Sequence, residues 1–358
     1  MSDTSRMRQL TGAEAIREAT AICLQRDPRV FVIGLGAPDP KGIFGTTSGL
    51  VQKFGPDRVM DAPLAENALT GLVIGAALGG MRPVLTHQRV DFALLSLEQI
   101  VNQAAKWFYM FDGKAGTVPI VIRMIVGRGW GQGPQHAQSL YSWFAHVPGL
   151  RVVVPSSPSD SKGLLIASVE DNNPVVFLEH RWLHGMKGPV PEGYYKTPLG
   201  QCLLARTGAD VTVVADGHMV IEALRAAEFA SASAGIEADV IDVRTLNPLD
   251  FDTIEKSVLK TGRLIVADDD ARHCGFAGEV VARVVESGLA LRSAPIRVTH
   301  PDCPSPSAAS LAAAFYPTAR ELFAAITKSV GRGADKLDSF PARGVPSDVP
   351  NLNFPGPF

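Results

Sequence analysis

Residues 61–80, DAPLAENALTGLVIGAALGG, decide what fold this chain can take. Pro63 breaks the approach and Glu66 opens a run of small and apolar residues. Within it Leu69, Leu72, Val73, Ala76, Ala77 and Gly80 recur at the spacing of one helical face. Gly71, Gly75 and Gly79 fall four apart, along an edge where a second backbone can come close. So apolar a helix is expected to be buried on most sides. Its one acid stands in the first turn, where unpaired N–H groups favour negative charge. Glu66 is therefore either a cap or an acid placed for chemistry, and the local pattern leaves both open.

Outward from this helix, short apolar strands are expected at 30–34, 59–61 and 82–86. A helix at 11–26 precedes them, opened by a Thr11–Glu14 capping box. The loop after the first strand, GLGAPDPKGIFGTTSGL, has Asp39 where a dinucleotide-binding GxGxxG needs its third glycine. Downstream the pattern predicts an amphipathic helix over 94–108, a strand over 118–126 and a glycine-rich loop, GRGWGQGPQHAQS, that carries Arg128, Trp130 and His136. Helix 140–145, strand 150–154, helix 159–169 and strand 174–179 follow. Strands that are nearly all apolar and alternate with helices define a parallel sheet covered on both faces, so the fold class is α/β.

Periodicity is lost over 181–200, read as a linker. A second α/β domain is expected over 201–330, with strands at 211–215, 238–242, 263–267 and 296–299 and helices at 218–233, 252–259, 275–288 and 316–330. Residues 331–358 form a proline-rich tail with an aromatic ending, either loose or packed on another surface. With 358 residues, 46% hydrophobic and 20% charged, the chain can fill two ordinary cores. A net charge of −2 gives no electrostatic reason for nucleic acid or an acidic membrane. The four cysteines are scattered without CxxC spacing, which favours a reducing compartment. No apolar run is long enough to cross a bilayer, and the N-terminus lacks a signal-peptide core. A cytoplasmic protein is expected.

Five segments read together carry a resemblance: IFGTTSGLVQKFGPDRVMDAPLAENALTG, DFALLSLEQIVNQAAKWFYM, GPQHAQSLYSWFAHVPGLRVVVPSSPSDSKGLL, EDNNPVVFLEH and DVRTLNPLD. Over about residues 10–330 the chain resembles the beta subunits of thiamine-diphosphate-dependent 2-oxo acid dehydrogenases, of the pyruvate, branched-chain and acetoin type. The resemblance implies a transketolase-like pyrimidine-binding domain over 1–180 and a transketolase C-terminal domain over 201–330. It implies that Glu66 hydrogen-bonds the aminopyrimidine of thiamine diphosphate, that Phe92 stacks on that ring, that Leu64 and Ile74 line it, and that His136 faces the bound intermediate. It also implies a structural potassium ion at Ile120, Ser168, Val169, Asp171 and Asn173, where a plain turn at EDNNP is the other reading. The GDG…N signature that holds magnesium and the diphosphate is absent. In the family an alpha subunit supplies it, in an alpha2beta2 heterotetramer that can dock on a lipoyl acyltransferase core.

Two departures stand out. Relatives carry an acid after the glycine that ends the first strand, where this chain has Gly34-Leu35-Gly36. They carry apolar residues where His87, Gln88 and Arg89 stand, and small ones near Arg128 and Trp130. His87, Arg89 and Arg128 are thus candidate substrate donors, or pair with acids of the alpha subunit. The implied activity is 2-oxo acid or acetoin dehydrogenation with acyl transfer to lipoyl. The alternatives are a two-component transferase moving a two-carbon unit to a sugar or other polar aldehyde, and a non-catalytic assembly subunit.

Overall fold

The computed structural model describes residues 6–129, 131–333, 336–342, 344, 345 and 349. Trp130 and the aromatic ending of the tail lie outside the described residues. The chain divides into two compact units, Met1–Gly127 with Trp143–Leu199, and Arg128–Ser142 with Gly200–Gly356.

In the first unit, parallel strands run in the order Arg151–Val153, Val175–His180, Val121–Val126, Arg82–His87, Val30–Ile33, Val59–Met60. The central ones are buried along their whole length, as strands covered on both faces must be. Helices Gly12–Arg26 and Pro158–Glu170 cover one face, packing Ile16, Ala19, Leu164 and Leu165 against Val32 and Val175. The predicted capping box is present: Thr11 Oγ1 accepts from Glu14 N at 3.2 Å, and the Glu14 carboxylate accepts from Thr11 N at 2.8 Å.

The second unit has parallel strands in the order Ile296–His300, Leu264–Ala271, Val211–Ala215, Ala238–Asp242. One antiparallel edge strand, Leu203–Arg206, closes that sheet and was not expected from the sequence. Its core lies between these strands and helices Gly217–Ala234 and Ala319–Ser329. Leu337 and Phe340 of the tail pack back onto it, Phe340 with its ring 4.7 Å from that of Phe229.

Three expectations are corrected. The linker is built: Lys187–Pro191 is a strand paired antiparallel with Met7–Thr11, its prolines tolerated because the ribbon is an edge. Helix 94–108 is a succession of short helical pieces with wide turns over Glu98–Ala104. A wide turn shifts the phase, so Ile100 and Ala104 face inward as the 3.6-residue period requires while Phe108 ends exposed. The helix that opened the reading, Glu66–Leu78, buries Thr70, Val73, Ile74 and Ala77, but Leu72 is 55% exposed. Among the described residues nothing lies within 4 Å of a Cβ placed on Gly75. Gly75 and Gly79 are exposed, whereas a Cβ on Gly71 would lie 3.4 Å from Gln99 Oε1.

Candidate active site

Glu66 is the first residue of its helix and half-buried. Ala65 occupies the cap position and offers no side-chain acceptor, so Glu66 does not cap. Among the described residues its carboxylate has no hydrogen bond or ion pair; only its carbonyl is engaged, accepting from Thr70 Oγ1 at 2.8 Å. That carboxylate borders a cleft of about 40 Å³, lined also by Leu64, Leu69, Thr86, His87 and Phe92. Strand Arg82–His87 ends at the cleft, and the turn after it delivers Phe92. Gly34 forms part of the wall and has to be glycine, since a Cβ there would lie 2.8 Å from Thr86 O. Leu35 also lines the wall.

His87 is 5% exposed, and burial pulls its imidazole down to about 4, so it stands in the cleft as a neutral ring. Leu64 borders the cleft too, 78% exposed. Two sequence-based assignments are corrected here. Ile74 is buried in the core eight residues along the helix, about 12 Å from Glu66 at 1.5 Å per residue, and does not line the cleft. Arg89 is buried and donates to Gly127 O at 3.1 Å; its guanidinium holds the end of a strand and is absent from the cleft lining.

Below these residues lies a buried ionic group that sequence reading missed. Arg123, in the middle of a strand, donates to Glu179 through Nε at 2.5 Å and Nη2 at 2.8 Å. His184 Nε2 lies 2.9 Å from the second Glu179 oxygen. Burial alone pushes the Glu179 carboxyl up, but the Arg123 charge and the hydrogen bonds from His184 and Arg123 outweigh it and hold it at about 2.

The residues named for potassium form a turn in the same unit. Arg82 Nη1 donates to Val169 O at 3.0 Å and to Asp171 O at 2.9 Å, and Nη2 to Asn172. Ile120 O accepts from Val175 N at 2.9 Å, and Ser168 O from Asp171 N at 3.3 Å. Asn173 turns inward on Asp171 Oδ1. The carbonyls of Ile120, Ser168, Val169 and Asp171 thus each carry a donor from the chain already.

His136 belongs to the segment Arg128–Ser142 of the second unit. It follows the short turn Gly133–Gln135, donates its backbone N–H to Gly133 O, and is exposed. Arg128, read as a substrate donor, is 1% exposed. Its guanidinium stacks 4.2 Å over the Tyr316 ring, with Nη1 3.5 Å from Asp269 Oδ1. It is a buried anchor. Around it stand Asp216, Asp268, Asp269 and Asp270, all buried. Burial, then the charge of Asp270, pushes the Asp268 carboxyl up to about 8. Asp216 is likewise pushed well up, by burial and the charges of Asp268 and Asp269. The DDD run at 268–270, at the end of an apolar strand, was the sequence signal for this cluster.

Comparison with known proteins gives the family. Residues 8–185 match the transketolase pyrimidine-binding domain and residues 200–322 the transketolase C-terminal domain. A split-gene transketolase, solved as an inactive beta4 tetramer, superposes with a TM-score of 0.73 at 25% identity, covering 90% of this chain and 99% of that one. These matches define a chain of the transketolase-like, thiamine-diphosphate-dependent class. Within that class, the acetoin:2,6-dichlorophenolindophenol oxidoreductase beta subunit of Cupriavidus necator is 44% identical, over 91% of this chain and 99% of its own. The Bacillus subtilis protein of the same name is 41% identical over the same shares. The pyruvate dehydrogenase E1 component beta-2 subunit of Oryza sativa is 39% identical, over 85% of this chain and 82% of its own. The chain belongs to the family of acetoin and pyruvate dehydrogenase beta subunits.

Proposed function

We propose that this chain is the beta half of a two-subunit dehydrogenase that cleaves the carbon–carbon bond beside a carbonyl, in acetoin or a 2-oxo acid, and passes the acyl unit to a lipoyl disulfide. The observation that carries this is the Glu66 carboxylate, half-buried, without a partner among the described residues, and in one cleft with Phe92. These residues fit the aminopyrimidine end of thiamine diphosphate. A carboxyl group suits a ring nitrogen, an aromatic side chain suits the ring face, and Leu64 and Leu69 suit its edges. When bound, that cofactor supplies an acidic ring carbon that attacks a carbonyl. Glu66 holds the proton at the pyrimidine nitrogen, Phe92 and the leucines keep water from the ring, and His136 moves protons at the substrate oxygen.

About 40 Å³ holds roughly three waters, far less than the whole cofactor. The cleft suits a site completed by a second chain, an alpha subunit bringing magnesium and the diphosphate grip into an alpha2beta2 assembly. Docking on a lipoyl acyltransferase core and a cytoplasmic setting belong to the same reading; all four cysteines are free. A two-component transferase using a sugar acceptor is the second reading, favoured by the likeness to a split-gene transketolase. Turnover with a lipoyl domain against turnover with an aldose separates them.

The test is Glu66→Ala in the complex assembled with the alpha-type subunit, magnesium and thiamine diphosphate. Deuterium exchange at the thiazolium carbon, followed by NMR, is expected to slow by about 100-fold or more, the lower end of what one acid–base group contributes, with assembly intact. Wild-type exchange in the variant would remove Glu66 from the chemistry.

A further inference from the structure

We infer that Asp269 and Asp270 are positioning residues that clamp the His136 segment at its two ends, with Arg128 as the buried handle. This rests on the reading of His136 given above. The segment has little rigidity of its own: Gly129, Gly131 and Gly133 all take positive φ, the conformations that cost glycine least and order it least. Leu140 also sits at φ 52°, which an L residue adopts only where its surroundings hold it.

Those surroundings come from the second unit. At the N-terminal end, Asp269 Oδ1 lies 3.5 Å from Arg128 Nη1 and 2.9 Å from His300 Nε2. The cation is also stacked on Tyr316, so it has left water altogether. At the C-terminal end, Asp270 Oδ2 accepts from Ser142 N at 2.9 Å, while its other oxygen accepts from Ala271 N at 2.7 Å. Ser142 Oγ in turn accepts from Phe276 N at 2.8 Å, the first residue of a helix. Between the ends, Ser305 Oγ donates to Ala137 O at 3.2 Å, directly after His136. An exposed imidazole on a flexible, glycine-rich loop is thus tied on both sides within a few residues. Neighbouring aspartates of a single strand do the tying.

The experiment is amide hydrogen exchange over residues 131–140, with steady-state kinetics, on the complex assembled with the alpha-type subunit. Asp269→Ala is expected to raise exchange in that segment by about tenfold or more, lower kcat by about the same factor and leave KM within about twofold. Asp269→Asn keeps an acceptor for Arg128 and His300 and is expected to recover most of both. If Asp269→Ala does not fold, Ser142→Ala buries no charge and is expected to raise exchange about threefold by releasing Phe276 N. Unchanged exchange in Ser142→Ala together with unchanged exchange in a folded Asp269→Ala would overturn the clamp, as would a loss in Asp269→Ala that falls on KM alone. Segment exchange is read without turnover, so the clamp can fail while the Glu66 result stands, and the reverse.

Discussion

The two units are both twisted parallel sheets between helices, yet they bury charge of opposite sign. In the first, cations dominate: Arg89, Arg123, Lys162 and Arg181 are buried, with Arg123 paired to Glu179 beside His184, whose imidazole burial pulls down. Burial pulls Arg89 down to about 10, and burial with the Arg89 charge does the same to Arg181. In the second, four aspartates gather around Arg128 and His300. One fold therefore solves the same electrostatic problem in two ways. Arg123 and the hydrogen bonds from it and His184 outweigh burial and hold Glu179 ionised; burial, reinforced by neighbouring carboxylates, makes Asp216 and Asp268 keep a proton. At equal depth the neighbours decide whether burial's upward push on an acid prevails.

Removing Arg123 should show the difference most strongly. Arg123→Met leaves Glu179 buried with His184 as its remaining partner among the described residues, and the loss is expected to reach about 3–5 kcal/mol in chemical denaturation. Asp268→Asn, which removes the proton that folding must take up above pH 3.8, is expected to cost no stability at pH 6 and to raise it if anything. Equal losses would erase the contrast.

The pH dependence should run in opposite directions. His87 falls from 6.5 to about 4 on folding, so the unfolded chain binds the extra proton between these values. The stability it gives is present above 6.5 and lost as the pH falls through about 4. Glu179 acts in the same sense lower down, between 4.5 and about 2. Asp268 rises from 3.8 to about 8, so its contribution is complete below 3.8 and is lost as the pH climbs through about 8. Each proton is worth at most about 1.4 kcal/mol per pH unit. In melting curves taken against pH, His87→Gln is expected to flatten the acid side and Asp268→Asn the alkaline side. Crossed results would mean that other groups carry these limbs.

Much of this molecule was legible in its residues. Strand and helix identities followed from apolar runs and the 3.6-residue period, and the capping box at Thr11 from two side chains. The lone acid at position 66 stood out because everything after it is apolar. The ribbon at Lys187–Pro191 stayed hidden because its partner lies at Met7–Thr11, far away in sequence, and proline argued against a strand. Arg123 and Glu179, 56 residues apart, each look like one polar interruption in an apolar strand, and only the sheet brings them together. Arg89 and Arg128 were misjudged for one reason: a long cation beside a site looks available until folding shows a carbonyl or carboxylate under it.

The smallest effect concerns the turn at Asp171–Asn173. A potassium ion stabilises a loop when it satisfies carbonyls that nothing else reaches. Here Arg82 takes Val169 O and Asp171 O with one nitrogen, and backbone N–H groups take Ile120 O and Ser168 O. An ion would find only the second lone pair of each oxygen, beside a guanidinium of its own sign. Exchanging potassium for sodium is therefore expected to shift the melting temperature of the wild-type chain by less than the roughly 2 °C that a 1 kcal/mol change gives in a chain of this size. Arg82→Met vacates two carbonyls at once and should make the midpoint depend on potassium. A wild-type midpoint that already rises with potassium would show that the ion and the arginine share the turn, and the first unit would then hold one more buried cation than its side chains supply.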